Sequence, residues 1–580
     1  MAAIIFLVTS VALASAATGA WRAWRMSVAE GWSASGDGVL FWLNWAADPG
    51  GRRLLMAAGL AVVVWAIVRW LNSSGPQGLR PLSALGAGVI RFLGRIPVAV
   101  VAIALALLPQ MVSAMKRPDA GDRPTVVVIL LDTVRLDHLG WGGSELDTSP
   151  RLDALARDGA AFTQTITQAP WTKPSVATIL TGVIPGRTGA TARRGPMLPQ
   201  NRTLAEAYAA AGYRTLGLSS NPNIATVFGF RQGFLDWHED TEATADTLIA
   251  GARRWLDAET DRPSFLYLHL NDAHYPYEPA PEYAGLFNHT GTNPHLDGLT
   301  EEAFRTSLGE GFSEDDVEAM RLSYSEEIRY LDDQVGQLVE DLLSKHDNLL
   351  VVITADHGEE FLEHGDLGHG HSLHEELIRI PLQFAWSPAL GEKLGLKAGR
   401  EDAQVRHMDI MPTLLELCDL TWPEGVRPFD GETLSPYLKG EEVEAVRPAF
   451  SETDNFGSPI SGPPGPLRSW RLPNWKLVET DPHVEMAANR LWLFHLAADP
   501  GEHRNLAHEN PEQRDLLRKA LQASGYFLGP DARLSSGAVI SGEQSDALAA
   551  MGYTEGNSPD ALEAEPYLDP RAIPWLQLKE

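Results

Sequence analysis

Three apolar runs in this chain stop on residues of the types that ligate metal ions. Thr125–Leu131 (TVVVILL) leads into Asp132. Ser264–Leu270 (SFLYLHL) leads into Asn271, Asp272 and His274, and Asn348–Thr354 (NLLVVIT) into Asp356 and His357. Carboxylates and imidazoles are the oxygen and nitrogen donors of divalent-ion sites. A single one of them would be a polar cap on a strand; three strands ending alike point to one shared site. A fourth segment, Ala169–Gly182 (APWTKPSVATILTG), adds a hydroxyl. Pro174 fits the first turn of a helix, which puts Thr172 at an N-terminal end where free N–H groups and the helix dipole favour an anion. Taken alone, the segment reads more simply, with Thr172 as an ordinary N-cap.

The elements that must bring these residues together are legible as well. Thr125–Leu131 is a continuous β-branched run, the pattern of a strand buried on both faces, and Arg214–Ser219 joins the other two runs as a further strand. Helices are predicted between them at Thr203–Ala211 and Ser313–His346. In the long one, Val317, Met320, Tyr324, Ile328, Leu331, Val335, Leu338 and Leu342 recur every three or four residues, a core stripe, and Ser313 with Asp316 caps its start. Strand and helix in alternation predict an α/β fold with a mainly parallel sheet, whose ligands collect at the carboxyl ends of the strands. Past about Leu382 the pattern is mixed: a helix at Asp409–Leu417, strands at Trp470–Val478 and Leu491–Leu496, and a Pro/Gly-rich break at Ser458–Pro466. The domains are therefore expected at 124–382 (catalytic core), 383–528 (a smaller α+β subdomain) and 529–580 (a loosely ordered tail), with no internal repeats.

Composition sets the class. Of 580 residues, 44% are hydrophobic and 21% charged, which excludes a largely disordered chain. The net charge of −29 is uneven: residues 1–123 hold 11 Lys/Arg against 5 Asp/Glu, and the remainder 36 against 71. So acidic a body argues against nucleic-acid binding, which needs positive charge. Cys418 is the only cysteine, so there is neither an intrachain disulfide nor a cysteine zinc site. The basic head, residues 1–123, reads as a membrane anchor with three spans, 1–21, 54–71 and 96–112, each near the roughly 20 residues a bilayer needs. The first could instead be a signal peptide, with Ala14-Ser15-Ala16 resembling a cleavage site, but it lacks a basic leader. Arg69, Arg80, Arg91 and Arg95 around the second loop favour that loop inside and the body outside the cytoplasm. Arg22, Arg25, Arg52 and Arg53 in the first loop, with Lys116 and Arg117, pull the other way. Nothing indicates an oligomeric state.

The motifs occur in a telling order: LLDTVRLDHLG, APWTKPSVATILTG, LHLNDAHYPY, then TADHGEEFLEHGDLGHGHSLHEELIRIPL, followed by RHMDIMPTLLEL and LWLFHLAADPGEHRNLA. Over about residues 124–520 the chain resembles the sulfatase family of the alkaline phosphatase superfamily. The resemblance implies a mixed, mostly parallel sheet flanked by helices, with a smaller C-terminal subdomain. It implies metal ligation by Asp132, Asp356 and His357, a weak second-ligand role for Thr133, and the nucleophile position, also touching the metal, at Thr172. His274 matches a substrate-contacting histidine. His369 falls nearest a substrate-binding lysine or histidine, with His371 as the near alternative. Lys173 either meets the anionic substrate or is solvated. His364, His374 and His407 are read as structural or solvent-facing. One divalent ion is expected (Zn, Mn, Ca or Mg). His357 stands where many calcium-dependent sulfatases have Asn, and imidazole favours Zn or Mn.

One departure bears on the chemistry. Where sulfatases carry Cys or Ser in C/S-x-P-S-R and convert it to formylglycine, this chain reads Thr172-Lys173-Pro174-Ser175-Val176. Threonine cannot give that aldehyde. Threonine nucleophiles occur in relatives that process phosphodiesters, such as nucleotide pyrophosphatases and lipoteichoic-acid synthases. The resemblance thus implies a membrane-anchored, metal-dependent hydrolase or transferase acting on a phosphate mono- or diester. Two alternatives are a sulfuric ester hydrolase without formylglycine and an inactive binding or scaffold protein. Retention of every metal-ligand type counts against the last, because a dead site has no need of buried charge.

Overall fold

In a computed structural model, β1 (Thr125–Leu131) occupies the middle of an eight-stranded sheet. Residues 121–192, 195–258, 260–288, 312–422, 428–454, 466–480 and 490–526 are described. The three expected spans and the tail lie outside them, and no helix among the described residues is long and apolar enough to cross a membrane. The other strands of the sheet are β2 (Ala160–Ile166), β3 (Arg214–Ser219), β4 (Asp236–Glu239), β5 (Ser264–Leu270), β6 (Leu349–Thr354), β9 (Arg379–Trp386) and β10 (Gly399–Arg406). Between β6 and β9 a small hairpin joins β7 (Glu360–Phe361) and β8 (Leu367–Gly368). The strand order is β10-β2-β9-β6-β1-β5-β3-β4. All neighbours are parallel except β9, which runs antiparallel to both β2 and β6. The expected mainly parallel sheet is present.

Alternation along β1 explains its apolar run. Val126, Val128 and Leu130 face one core with α2 (Thr172–Thr181), α3 (Leu204–Ala210) and α6 (Ile410–Leu417). Val127, Ile129 and Leu131 face the other core, with α1 (Pro150–Asp158), α4 (Ala245–Leu256) and α5 (Glu314–Lys345). A strand covered on both faces needs apolar side chains at every position. The stripe of α5 lies in that second core, and Ser313 forms its capping box with Asp316; Thr203 and Glu206 do the same for α3.

Two sequence expectations change. The large sheet does not end at residue 382: the expected boundary falls inside β9, and β10 follows in the same sheet. Pro381 and Gln383 break the apolar run of β9, and β10 (GREDAQVR) is a half-exposed edge strand without an apolar signal. Likewise Trp470–Val478 is not one strand but a hairpin of β12 (Leu467–Leu472) and β13 (Trp475–Thr480) turning at Pro473 and Asn474. With β11 (Ala449–Thr453) and β14 (Leu491–His495) it makes a four-stranded antiparallel sheet. Phe450, Trp470, Leu477 and Leu493 pack there under Leu517 and Leu521 of α7 (Pro511–Ala523). Both sheets belong to one compact unit that begins at Asp119.

Candidate active site

Leu130 of β1 pairs with Thr354 of β6 and with His269 of β5. Two residues beyond the first of these pairs, Asp132 and Asp356 emerge side by side at the carboxyl end of the sheet. Both are fully buried. The start of α2 is docked beside them: Ser175 Oγ donates to the Asp356 carbonyl at 2.7 Å and meets Thr167 Oγ1 at 2.9 Å. Thr172 is the first residue of α2 and Trp171 its N-cap, with no side-chain capping bond, so the simple N-cap reading of Thr172 fails. Its hydroxyl instead lies 3.3 Å from His357 Nε2 and 3.5 Å from Asn221 Nδ2.

Four donor atoms converge. His357 Nδ1 donates to the Gly358 carbonyl at 2.9 Å, which leaves the Nε2 lone pair facing inward. That nitrogen is 3.3 Å from Asp356 Oδ2 and 3.7 Å from Asp132 Oδ1. Both oxygens are buried without a hydrogen-bond partner, whereas the other oxygen of each carboxylate is satisfied. Asp132 Oδ2 is bonded by His269 Nε2 (2.7 Å) and Asn221 Nδ2 (2.5 Å); Asp356 Oδ1 accepts the amides of Thr133 (3.3 Å) and His357 (3.0 Å). Orphaned buried oxygens aimed at a free imidazole lone pair are what a divalent cation needs, and they are costly without one. The electrostatics agree. Burial, reinforced by the charge of Asp132, pushes the Asp356 carboxyl well above its usual range. Burial would raise Asp132 too, but the hydrogen bond and charge of His269 outweigh it and hold Asp132 well below. Burial and the neighbouring His369 keep His357 neutral, the form that binds metal.

Around this centre the other expected residues separate. His274 donates from Nδ1 to the Tyr275 carbonyl (2.7 Å), and its Nε2 is buried and unpartnered. The His369 ring lies 5.0 Å from that of His274 and 4.3 Å from that of His357, with Nδ1 3.1 Å from Glu359 Oε1. His371 is turned elsewhere, with Nε2 2.7 Å from Glu360 Oε2. Lys173 is not solvated: it is fully buried, its Nζ 3.6 Å from the centre of the Phe228 ring. The weak ligand role for Thr133 does not hold. Its hydroxyl meets the carbonyls of Asp132 (2.7 Å) and Ala273 (3.0 Å), and its left-handed backbone (φ 59°) presents its amide to Asp356. His407 is buried among Ser175, Thr354 and Thr167, a structural contact.

Three functional neighbours escaped the sequence reading. His269, inside an apolar strand, looked like core. With Asp132 and Asp356 it forms a group whose donor atoms could hold a metal, although its Nε2 is committed to Asp132 Oδ2. Asn221 bridges Asp132, Thr172 and Asn271, and follows β3 by the same strand-end rule that flagged the others. Glu359 is fully buried beside His369; burial pushes it up to about 8, with His274 pulling the other way.

Gly358 shows how tightly this corner is built. A Cβ there would collide with the Glu376 carbonyl, which lies one residue from the Leu377 carbonyl that accepts the Gly358 amide. Gly358→Ala should therefore cost about 1–3 kcal/mol in stability and displace His357. A lowered melting temperature together with lost activity would show it; an unchanged pair would refute it.

This geometry carries a family assignment. The profile of the family described as Sulfatase matches residues 124–420. The chain is 24% identical over 503 residues to the ulvan-active sulfatase of Formosa agariphila, covering 79% of this chain and 93% of that one. It is 26% identical over 450 residues to the choline-sulfatase of Rhizobium meliloti, covering 67% and 83%. Its fold is similar to that of the phosphonate monoester hydrolase of Agrobacterium radiobacter, with TM-score 0.58 and 22% identity over 69% of this chain and 95% of that one. The chain belongs to the sulfatase family of the alkaline phosphatase superfamily, and it is an ester hydrolase.

Proposed function

We propose that this hydrolase acts on phosphate esters, mono- or diester, through Thr172 as covalent nucleophile at a divalent-metal centre. The observation that carries the reading is the Thr172 hydroxyl, uncapped and within 3.3 Å of His357 Nε2 at the point where the orphaned oxygens of Asp132 and Asp356 face inward. Asp132, Asp356 and His357 would hold the ion, with Thr172 beside it. The imidazole in this set favours Zn or Mn over Ca or Mg. When bound, such an ion lowers the pKa of the hydroxyl and polarises the ester oxygen.

The chain's own groups supply the rest. Thr172 Oγ1 forms a bond to phosphorus as the bond to the leaving alcohol breaks, and the proton it gives up passes to His274 or His369. The leaving oxygen takes up that proton from the same histidine, and the other would bind non-bridging oxygens. Water, or an acceptor alcohol in a transferase, then attacks phosphorus and frees Thr172. Lys173, one residue on, supplies positive charge near the anion. The named sulfatases among the relatives favour a second reading, a sulfate ester as substrate. A panel of phosphate and sulfate esters assayed with purified, metal-loaded enzyme decides: phosphate release without sulfate release supports the first reading, and the reverse supports the second.

The basic, apolar residues 1–123 would anchor the enzyme in a membrane by three spans, with the catalytic unit outside the cytoplasm. Protease added to intact cells with a permeable outer layer should then cleave beyond Pro124. Full protection of that region would reverse the orientation.

A further inference from the structure

We infer that a second ion site, for zinc, lies outside the catalytic centre, built from His364, His374 and Glu502 with Glu376 beside them. The first two residues sit on the segment between β7 and β9, and Glu502 on the turn after β14. The ligand-capable atoms of His364, His374 and Glu502 fall within 4.8 Å of one another. The two imidazoles are stacked, centroids 3.6 Å apart and planes 9° from parallel, so one ring must turn about its Cβ–Cγ bond for both lone pairs to meet one ion. His374 Nδ1 is 3.3 Å from Glu502 Oε2. His503, exposed, brings a third imidazole to 5.7 Å from His364.

Two observations separate this group from a chance polar cluster. Glu376 Oε1 is buried without a hydrogen-bond partner and lies 3.5 Å from His364 Nε2, on a side chain only 8% exposed. Glu502 is oriented as a ligand would be. Its Oε1 meets the buried Lys476 Nζ at 2.6 Å, its Oε2 accepts the Glu375 amide at 2.7 Å, and its backbone takes a left-handed φ of 57° that a glutamate rarely adopts. Nitrogen donors with one or two carboxylates select zinc over calcium or magnesium.

The position suggests what the ion does. The segment that contributes His364 and His374 also carries His369, and its backbone has positive φ at Leu362, Gly365, Gly368 and Gly370. Such a segment loses much freedom on ordering. A zinc ion held jointly with Glu502 would clasp it to the C-terminal sheet and fix His369 at the mouth of the catalytic centre.

The test uses the full chain carrying Asp356→Asn, so that the catalytic ligands are disabled, freed of metal and titrated with Zn²⁺ alone. The expected result is about one tightly bound zinc per chain, with a zinc-dependent rise in melting temperature. Adding His374→Phe, which keeps the ring volume, should abolish both; His364→Gln serves the same end should the Phe variant fail to fold. No zinc retained by Asp356→Asn, or equal retention after either added substitution in folded protein, would overturn the site. Because the readout is zinc content in a catalytically disabled chain, its outcome is independent of which ester the enzyme cleaves.

Discussion

Thr172→Ala is expected to lose about 10³-fold or more in turnover, on the scale of removing the nucleophile from a catalytic triad. The hydroxyl, at the start of α2, faces the donor atoms 3.3 Å from His357 Nε2. It makes no capping bond, so its loss leaves the helix intact. Thr172→Ser keeps the oxygen and should retain part of the activity, its rate reduced by the freer χ1 of serine. Trapping a phosphorylated Thr172 peptide during turnover would make the assignment direct. Ala at parental speed would end the nucleophile role, and sulfate release without phosphoesterase activity would end the phosphate reading.

Loss of the ion should be nearly as damaging. Asp356→Ala removes one of the two orphaned inward oxygens and also the acceptor of the Thr133 and His357 amides. Asp356→Asn is the cleaner variant, because its amide oxygen can still accept those two bonds while its nitrogen replaces the free ligand oxygen. Even distant partners of ligands cost about 10–100-fold in metal affinity or activity when removed. A direct ligand should cost at least about 100-fold in activity, with metal content at the catalytic centre falling in step. Full turnover in metal-free protein, with Asp356→Asn as fast as the parent, would remove the metal from the mechanism.

Much of the candidate site was legible in the sequence because most of its parts obey a local rule. Asp132, His274, Asp356 and His357 all follow apolar runs, and adjacent parallel strands bring such ends together whatever their separation along the chain. Of the parts missed, Asn221 obeyed the same rule after β3, and others broke it. His269 points to the site from within a strand, so its surroundings read as core. β9 carries a proline and a glutamine, and the edge strand β10 has no apolar alternation, so the sheet seemed to stop early. The stacked pair of His364 and His374 was hidden for another reason: its partner Glu502 is far along the chain, and no short motif links them.

The reversed direction of β9 has a wider consequence. Thr354 at the end of β6 pairs with Leu382 of β9, so the chain leaves and re-enters the sheet at the same, catalytic rim. A parallel neighbour would have obliged the chain to cross back beneath the sheet, with only one end of each connection near the chemistry. Residues 355–378 are instead an excursion with both footings on that rim. Lengthening such a loop adds little closure cost, since the penalty grows only logarithmically with length. Substrate preference can therefore diversify by rewriting this excursion beyond Gly358, while Asp132, Asp356 and His357 stay untouched. Exchanging residues 359–378 between enzymes of this architecture should then shift specificity while leaving the metal ligands in place.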